Sequence, residues 1–393
     1  MLSVQDAIDR LSAAAKAPTE TETLALADAV GRIAAAEYRA IVNVPSLDNS
    51  AMDGYAIAFA PDLFLPTSFP IVQRIAAGHV GTPLQLNEAA RIFTGAPIPP
   101  GANAVVMQED TEADGETLRI KHGVVVKPGQ HIRRAGEDIA RNAVLVQTGE
   151  QINAARIAKL AAGGIGAIDV FKPLRVTLLS TGDELTEPGT PLPEGGVYNS
   201  NRPMLLAMLR ELGCVVTDGG MVPDNRAATE AALSAAAAKS DVVISTGGVS
   251  VGEEDHVKAA LSALGSLDLW KVAIKPGKPL AFGRIGTADF VGLPGNPVSA
   301  FVTLLVLVRP YLLTRMGAAH VQPRSFTLPA AFDKPKPDAR QEYLRATLGP
   351  DGVGVVGQQG SAMIAGLAQA DGLVEIPADT PIAKGQLVRF IPI

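Results

Sequence analysis

The sequence predicts a multidomain α/β plus β protein. Three observations carry that prediction. From Leu174 to Pro297, short apolar runs alternate with amphipathic segments, as in LRVTLLS, DVVISTGG and DFVGLPG separated by SNRPMLLAMLREL and AATEAALSAAAAKS. Such alternation specifies a doubly wound, mostly parallel sheet with helices on its faces. From Tyr55 to about Asp138, short β-prone runs (FPIVQRI, AARIFTG, AVVMQED, TLRI) alternate with Gly, Pro and Asp, which indicates an inserted β-rich domain. After Gly317 the texture is β-rich again (RSFTLPAAF, EYLRATL, GLVEIP, QLVRFIPI), giving a C-terminal β domain.

The remaining segments read as helical. VQDAIDRLSAA within 3–16, LALADAVGRIAAAEY within 20–36 and INAARIAKLAAGG (152–164) place apolar residues at helical spacing. The predicted boundaries are 1–48 with 139–172 as an elongated helical domain, 49–138 inserted, 173–317 doubly wound and 318–393 C-terminal. A chain of 393 residues is expected to divide in this way, since one core does not grow that large. In SNRPMLLAMLREL, Ser200 or Asn201 is the expected helix cap.

Composition narrows the function classes. Hydrophobic residues make up 47% and charged residues 19%, with a net charge of −6 and no basic run, so duplex nucleic acid is not an expected partner. One cysteine, Cys214, allows neither an intramolecular disulfide nor a cysteine metal cluster, and its setting in ELGCVVTDGG reads as a buried small hydrophobe. The N-terminus is acidic and amphipathic, unlike a signal peptide. The apolar run Phe301–Val308 is too short to span a bilayer. A soluble, cytoplasmic protein without membrane contact is the expectation.

Three loops follow buried-strand sequences and gather chemistry: STGGVSVGEEDH (Ser245–His256), KPGKP (Lys275–Pro279) and GLPGNPVSA (Gly292–Ala300). Glycine turns at strand ends let backbone N–H groups approach an anion, and a following helix N-terminus adds positive potential. In an open sheet these loops meet at the carboxyl edge. Glu253, Glu254 and Asp255 crowd one loop, which suggests a cation bridging acid and phosphate, or a charge cluster at a helix start. Lys271, Lys275 and Lys278 offer point charges for an oxyanion. No GxxxxGK[ST] motif is present, so ordinary P-loop chemistry is excluded.

Further candidates each have a structural alternative. Glu184, in STGDEL, suits Mg²⁺ or is a solvated cap. Asp224, in VPDNR, is a ligand or the N-cap of the next helix. Asp53 in SAMDGYA and Thr94 in RIFTGAP are functional or merely turn residues. Arg133 and Arg134 pair with Glu137 and Asp138 or contact an anion. In the tail, Arg340, Arg345 and Ser361 suit a tetrahedral oxyanion or are surface strand charges.

Together SAMDGYA, RIFTGAPIPPGANAVVMQED, IRRAGEDI, STGDEL, STGGVSVGEEDH, WKVAIKPGKP and GLPGNPVSA, in this order over residues 50–300, resemble the molybdopterin molybdenumtransferase family, that of MoeA and the gephyrin E domain. ARQEYLRA and GQQGS extend the resemblance into the tail. It implies the last step of molybdenum cofactor synthesis, in which molybdenum from molybdate enters the dithiolene of adenylylated molybdopterin, with Mg²⁺, and AMP is released. It implies site roles for Asp53, Thr94, Glu184, Asp224, Asp255, Lys271 and Lys275, with Asp255, Glu184 and Asp224 toward the metal. By the same resemblance Gly247, Gly248, Ser250, Gly252, Pro294 and Pro297 are expected to line the substrate site. Lys278, Arg340, Arg345 and Ser361 are the molybdate candidates. It also implies a homodimer whose cleft is shared between subunits, and transient contact with a molybdopterin adenylyltransferase and apo-molybdoenzymes. A non-catalytic molybdopterin-binding scaffold and a tungstate-selective paralogue are the alternatives, since the two oxyanions are alike in size and charge.

Overall fold

Six strands build the central sheet of the computed structural model, which describes residues 1–62, 64–247 and 256–393. These are β1 (Arg175–Thr181), β2 (Val215–Val222), β3 (Val242–Thr246), β4 (Gly265–Lys271), β5 (Pro279–Ile285) and β6 (Ala288–Leu293). Their order across the sheet is β2-β1-β3-β6-β5-β4. The pairs β2–β1, β1–β3 and β3–β6 are parallel, whereas β6–β5 and β5–β4 are antiparallel. β3 and β6 are buried along their length, as expected for strands covered on both faces.

Among the described residues eight α-helices accompany the sheets: α1 (Val4–Ala14), α2 (Ala154–Ala162), α3 (Asn201–Glu211), α4 (Arg226–Ala237), α5 (His256–Leu264), α6 (Pro297–Thr303), α7 (Arg309–Arg315) and the single turn α8 (Ala365–Ala368). On one sheet face, Leu205 and Leu209 of α3, Val298 and Val302 of α6, and Leu312 of α7 pack on Val176, Ile244 and Val291. On the other, Leu233 of α4 and Val257 and Leu261 of α5 pack on Leu179, Val243 and Phe290. A π-turn at Leu304–Val308 joins α6 to α7. The resulting helix Pro297–Arg315 is long and apolar enough to cross a membrane by length and composition, but 72% of its apolar window is buried inside the molecule. It reads as a core helix.

The expectation of an elongated helical domain needs correction. α1 forms as predicted, with a capping box between Ser3 and Asp6. Its apolar stripe, Val4, Ala7, Ile8 and Leu11, is buried in the α/β core, against α7 and the π-turn. Residues 20–36 are not helical. They form the strand Thr21–Ala25, paired antiparallel with Ala167–Phe171, and a short 3₁₀ turn at Leu26–Asp28. The alanines that produced the helical spacing bury little surface, while Thr21 and Thr23 favour extended backbone. Gly31 then takes φ +80°, which ends any helical continuation, and donates its N–H to the Ile152 carbonyl. The rest of this region is held by the pair Tyr38–Arg39 with Val144–Val146 and by α2, capped by Asn153.

The inserted unit is a six-stranded sheet in the order 104–107, 54–57, 89–92, 68–75, 117–120, 111–114. One face buries Tyr55, Ile57, Phe69 and Val106, and the other buries Ala56, Ile75, Ile92 and Val105. In the C-terminal sheet, Gln341–Gly349 pairs with Gly372–Ile376, which pairs with Leu387–Pro392 and then Phe326–Pro329. The outer strand of this sheet is Ile274–Lys275, which comes from the connection between β4 and β5, with Ile274 opposite Gln341 and Lys275 opposite Glu342.

Candidate functional site

The carboxyl ends of β1, β2, β3 and β6 lie on one edge of the sheet because these strands are parallel. Two antiparallel steps bring the end of β4, Lys271, and the start of β5, Pro279, to the same edge. The topology thereby gathers the loops 182–184, 223–225, 271–279 and 294–296, where ligands of open α/β sheets bind.

Close packing holds these loops. Gly247 has φ +89° and donates its N–H to the Leu293 carbonyl at 3.3 Å. A Cβ there would meet the Thr181 carbonyl oxygen at 2.4 Å, so only glycine lets the ends of β1, β3 and β6 approach this closely. Asn201 does not cap α3. Its Nδ2 donates to Thr246 Oγ1 at 3.0 Å and to the Gly295 carbonyl at 2.6 Å, tying β3 to the turn after β6. The N–H of Arg202 is instead taken by Asn199 Oδ1 at 3.1 Å, and Ser200 makes no side-chain cap. Ser180 Oγ, Thr181 Oγ1, Ser245 Oγ and Asn201 Oδ1 are buried without a partner among the described residues. Buried hydroxyl and amide groups normally have partners, so this cluster presents unspent hydrogen-bonding capacity to a ligand.

The acidic positions divide by role. Asp183 Oδ1 accepts the N–H of Asp224 at 2.9 Å, which joins the loops after β1 and β2. The carboxylate of Glu184 folds beside Gly182. Asp224 is not the N-cap, since Asn225 accepts the Ala228 N–H at 2.9 Å and caps α4. Glu184 and Asp224 are exposed and have no ion-pair partner among the described residues. Gly248, Ser250, Gly252, Glu253, Glu254 and Asp255 lie outside the described residues. Among the described residues no group of three or more His, Cys, Asp or Glu is assembled for a metal.

The basic positions also separate. Lys271 and Lys278 are exposed, and the Val272 N–H donates to the Lys278 carbonyl at 2.9 Å to close the KPGKP turn. Lys275 Nζ lies 2.9 Å from Asp338 Oδ2 and 2.9 Å from Glu342 Oε1. The hydrogen bond that Lys275 donates to Glu342, foremost, and the one it donates to Asp338 raise its pKa above the ordinary value. Arg340 donates from Nε to Asp338 Oδ1 at 3.0 Å and from Nη2 to Asp338 Oδ2 at 3.3 Å. Asp338 and Glu342 were not singled out from the sequence, although both stand beside the arginines in PDARQEYLRA.

Arg345 requires a correction. It is only 1% exposed, and its guanidinium donates to the carbonyls of Gln358, Gly360 (3.1 Å) and Met363 (3.3 Å). It is therefore not a surface strand charge: it shapes the loop that carries Ser361, and its Nε is buried without a partner among the described residues. That loop docks on the turn after β6. Asn296 Nδ2 donates to Ser361 Oγ at 3.2 Å, and the Val298 N–H donates to the Ser361 carbonyl at 3.0 Å. Pro294 is buried under this contact and Pro297 opens α6 at its first turn.

In the inserted sheet, Asp53 Oδ1 accepts both the N–H and the hydroxyl of Thr94, each at 2.8 Å. The backbone hydrogen bond from Thr94, then that from its side chain, hold the Asp53 carboxyl below its ordinary range. Arg91, stacked over Tyr55 and Phe93, adds positive charge nearby. Arg134 pairs with Asp48 at 2.6 Å, while Glu137 accepts its backbone N–H, so this motif is a local loop clasp. Among the described residues no hydrogen bond or ion pair joins the inserted sheet to the α/β domain of the same chain.

With this geometry established, comparison with known proteins gives a consistent result. Residues 2–164 match the MoeA N-terminal region (domain I and II), 177–314 a probable molybdopterin binding domain, and 327–393 the MoeA C-terminal region (domain IV). The chain is 38% identical to a molybdopterin molybdenumtransferase of Haemophilus influenzae, over 100% of its own length and 98% of the relative. It is 36% identical to molybdopterin molybdenumtransferase 2 of Mycobacterium tuberculosis, over 91% of each. Its fold superposes on a solved molybdopterin biosynthesis MoeA protein of Pyrococcus horikoshii with a TM-score of 0.86 at 26% identity, covering 100% of both chains. The chain therefore belongs to the molybdopterin molybdenumtransferase family, transferases of molybdenum cofactor biosynthesis.

Proposed function

We propose that this enzyme inserts molybdenum from molybdate into the dithiolene of adenylylated molybdopterin, in the presence of Mg²⁺, and releases AMP. The observation that carries the reading is the convergence on one sheet edge of unpaired carboxylates, exposed lysines and the docked Ser361 loop. A substrate with a phosphoanhydride, plus a separate tetrahedral oxyanion, uses all three.

Lys271, Lys278 and the backbone around Gly247 would hold the phosphates, and the orphaned hydroxyls of Ser180, Thr181 and Ser245 would meet the polar edge of the substrate. Arg340, Lys275 and Ser361 would hold the oxyanion. Glu184 and Asp224 are exposed carboxylates with no ion-pair partner among the described residues, a donor set that fits Mg²⁺, and Asp255 would complete it. Bound there, the ion would neutralise charge on the phosphates. In the metal-transfer step, the two dithiolene sulfurs form bonds to molybdenum, and one oxo group leaves as water with the two thiol protons. In the release step, water attacks a phosphorus of the anhydride, the P–O–P link breaks and AMP departs. The protein acts through preorganised charge and needs no covalent nucleophile. Cys214 is consistent with this, being buried with its thiol pKa pushed up to about 12 by desolvation.

Asp53 and Thr94 enter the reading through a second copy. Among the described residues no hydrogen bond or ion pair ties their sheet to the cleft of their own chain, so a homodimer that shares clefts would let the partner copy supply them. Mixing Asp53→Ala and Asp224→Ala proteins tests this, because shared clefts restore one intact site per heterodimer. The primary experiment is AMP release from adenylylated molybdopterin with Mg²⁺, with and without molybdate, followed by reconstitution of an apo-molybdoenzyme. Molybdate-dependent release with active product supports the transferase. Tight binding without turnover would support a scaffold, and equal or greater turnover on tungstate would support the paralogue reading.

A further inference from the structure

We infer that Asp338 is a built-in competitor for the oxyanion, occupying the Lys275 and Arg340 cations until an anion displaces it. This inference rests on the proposed reading of that pair as an oxyanion site.

The geometry is specific. Asp338 Oδ2 receives Lys275 Nζ at 2.9 Å and Arg340 Nη2 at 3.3 Å, while Oδ1 receives Arg340 Nε and the Arg340 N–H, both at 3.0 Å. One carboxylate thus spends both oxygens on the two cations, with the fork-like arrangement in which guanidinium recognises any planar or tetrahedral oxyanion. The side chains remain partly open to solvent, 20% for Asp338, 41% for Lys275 and 28% for Arg340, so an incoming anion has access. Glu342 differs. It is 2% exposed and also paired with Lys334, so it is a fixed counter-ion beneath the site.

Charge counting gives the sign. Three cations, Lys275, Lys334 and Arg340, face two carboxylates, Asp338 and Glu342, leaving one net positive charge. A dianion such as molybdate is under-neutralised there. Moving Asp338 aside raises the local charge to two, which matches the ligand. The carboxyl of Asp338 is held far below its ordinary range, chiefly by the Arg340 hydrogen bond, so it is charged throughout the neutral range and competes at every working pH. Such a competitor would keep the cleft from retaining common weakly bound anions while admitting one that can replace both carboxylate oxygens at once.

The test is calorimetric titration of the full-length protein with sodium molybdate at low and at physiological salt. Wild type is compared with Asp338→Asn, which keeps shape and loses charge, and with Asp338→Ser, which also removes bulk. Native folding is checked by thermal midpoint. The expected result is molybdate binding at least tenfold tighter in both variants at low salt, with the advantage shrinking as salt screens the charges. Unchanged or weaker binding in both folded variants, with wild type binding measurably, overturns the inference and makes Asp338 a positioning residue for the cations. Absence of molybdate binding in all three proteins overturns the oxyanion reading itself, and the inference with it.

Discussion

Replacing Arg345 by Met is the sharpest test of how the Ser361 loop is built. The substitution keeps an unbranched side chain of similar length at a position 1% exposed, and removes the donors to Gln358, Gly360 and Met363. Hydrogen bonds from a charged donor contribute roughly 1.5–3 kcal/mol each. Relief of the buried, desolvated guanidinium returns several kcal/mol, about half or more of that sum. Desolvation is also why the Arg345 pKa lies below its ordinary value. The net loss expected is about 2–3 kcal/mol of local stability, a factor of roughly 30–150 in opening of the loop. Gln359 still anchors one end, through Nε2 to the carbonyls of Val356 and Arg345 at 2.7 and 3.1 Å, so the loss stays local. Hydrogen exchange of amides 357–364, and of the Val298 N–H that donates to Ser361, reads that opening directly. Exchange should accelerate by that factor, and molybdate affinity should fall as Ser361 loses its station. If exchange in this segment is unchanged while molybdate binding disappears, Arg345 contacts the ligand and the structural assignment is wrong.

Other expectations are more direct. Gly247→Ala places a Cβ 2.4 Å from the Thr181 carbonyl at φ +89°, and should lower the thermal midpoint by an amount corresponding to more than about 2 kcal/mol, with loss of AMP release. A fully stable variant would contradict the close approach. Cys214 should resist alkylation by iodoacetamide at pH 8 in the native protein and react on unfolding, because its thiol ionises only near about 12. Rapid native-state labelling would place it on an accessible surface. The Asp338 carboxyl has a depressed folded pKa, so its contribution to stability is complete above the ordinary carboxyl value of 3.8 and is lost as pH falls through its lower folded value. Lys275, with a raised pKa, contributes fully below 10.5 and loses that contribution as pH rises above it. Acid unfolding of Asp338→Asn below pH 4 should therefore be less steep than that of wild type, and an identical acid limb would remove this group from the balance.

Much of the site was legible because strand-end loops announce themselves in sequence. STGDEL, KPGKP and GLPGNP each follow an apolar run, and the sheet brings all three to one edge. The hidden part lies where long-range pairing decides. Nothing local in LALADAVGRIAAAEY shows that Thr21–Ala25 will pair with Ala167–Phe171, because its alanines favour helix locally and the partner strand lies far along the chain. Nor does the α1 sequence say which core receives it. Arg340 and Arg345 looked equivalent as charges, yet Arg340 sits in the bend before the strand Gln341–Gly349, whereas Arg345 lies within that strand and is buried. Nothing local in the sequence separates them. Nor does it single out the counter-ions Asp338 and Glu342, because their role depends on Lys275 arriving from a distant segment.

That arrival has a mechanical consequence. Ile274 and Lys275 belong by sequence to the α/β domain and by hydrogen bonding to the C-terminal sheet. The two domains are therefore stitched by a shared ladder, and the Ser361 loop adds a second suture at Asn296 and Val298. A hinge between them would have to tear both. The inserted sheet has no such stitching to the α/β domain among the described residues, and the chain enters and leaves it near residues 48 and 139. Domain motion is therefore expected at those two crossings, with the α/β and C-terminal domains moving as one unit and the inserted sheet as the other.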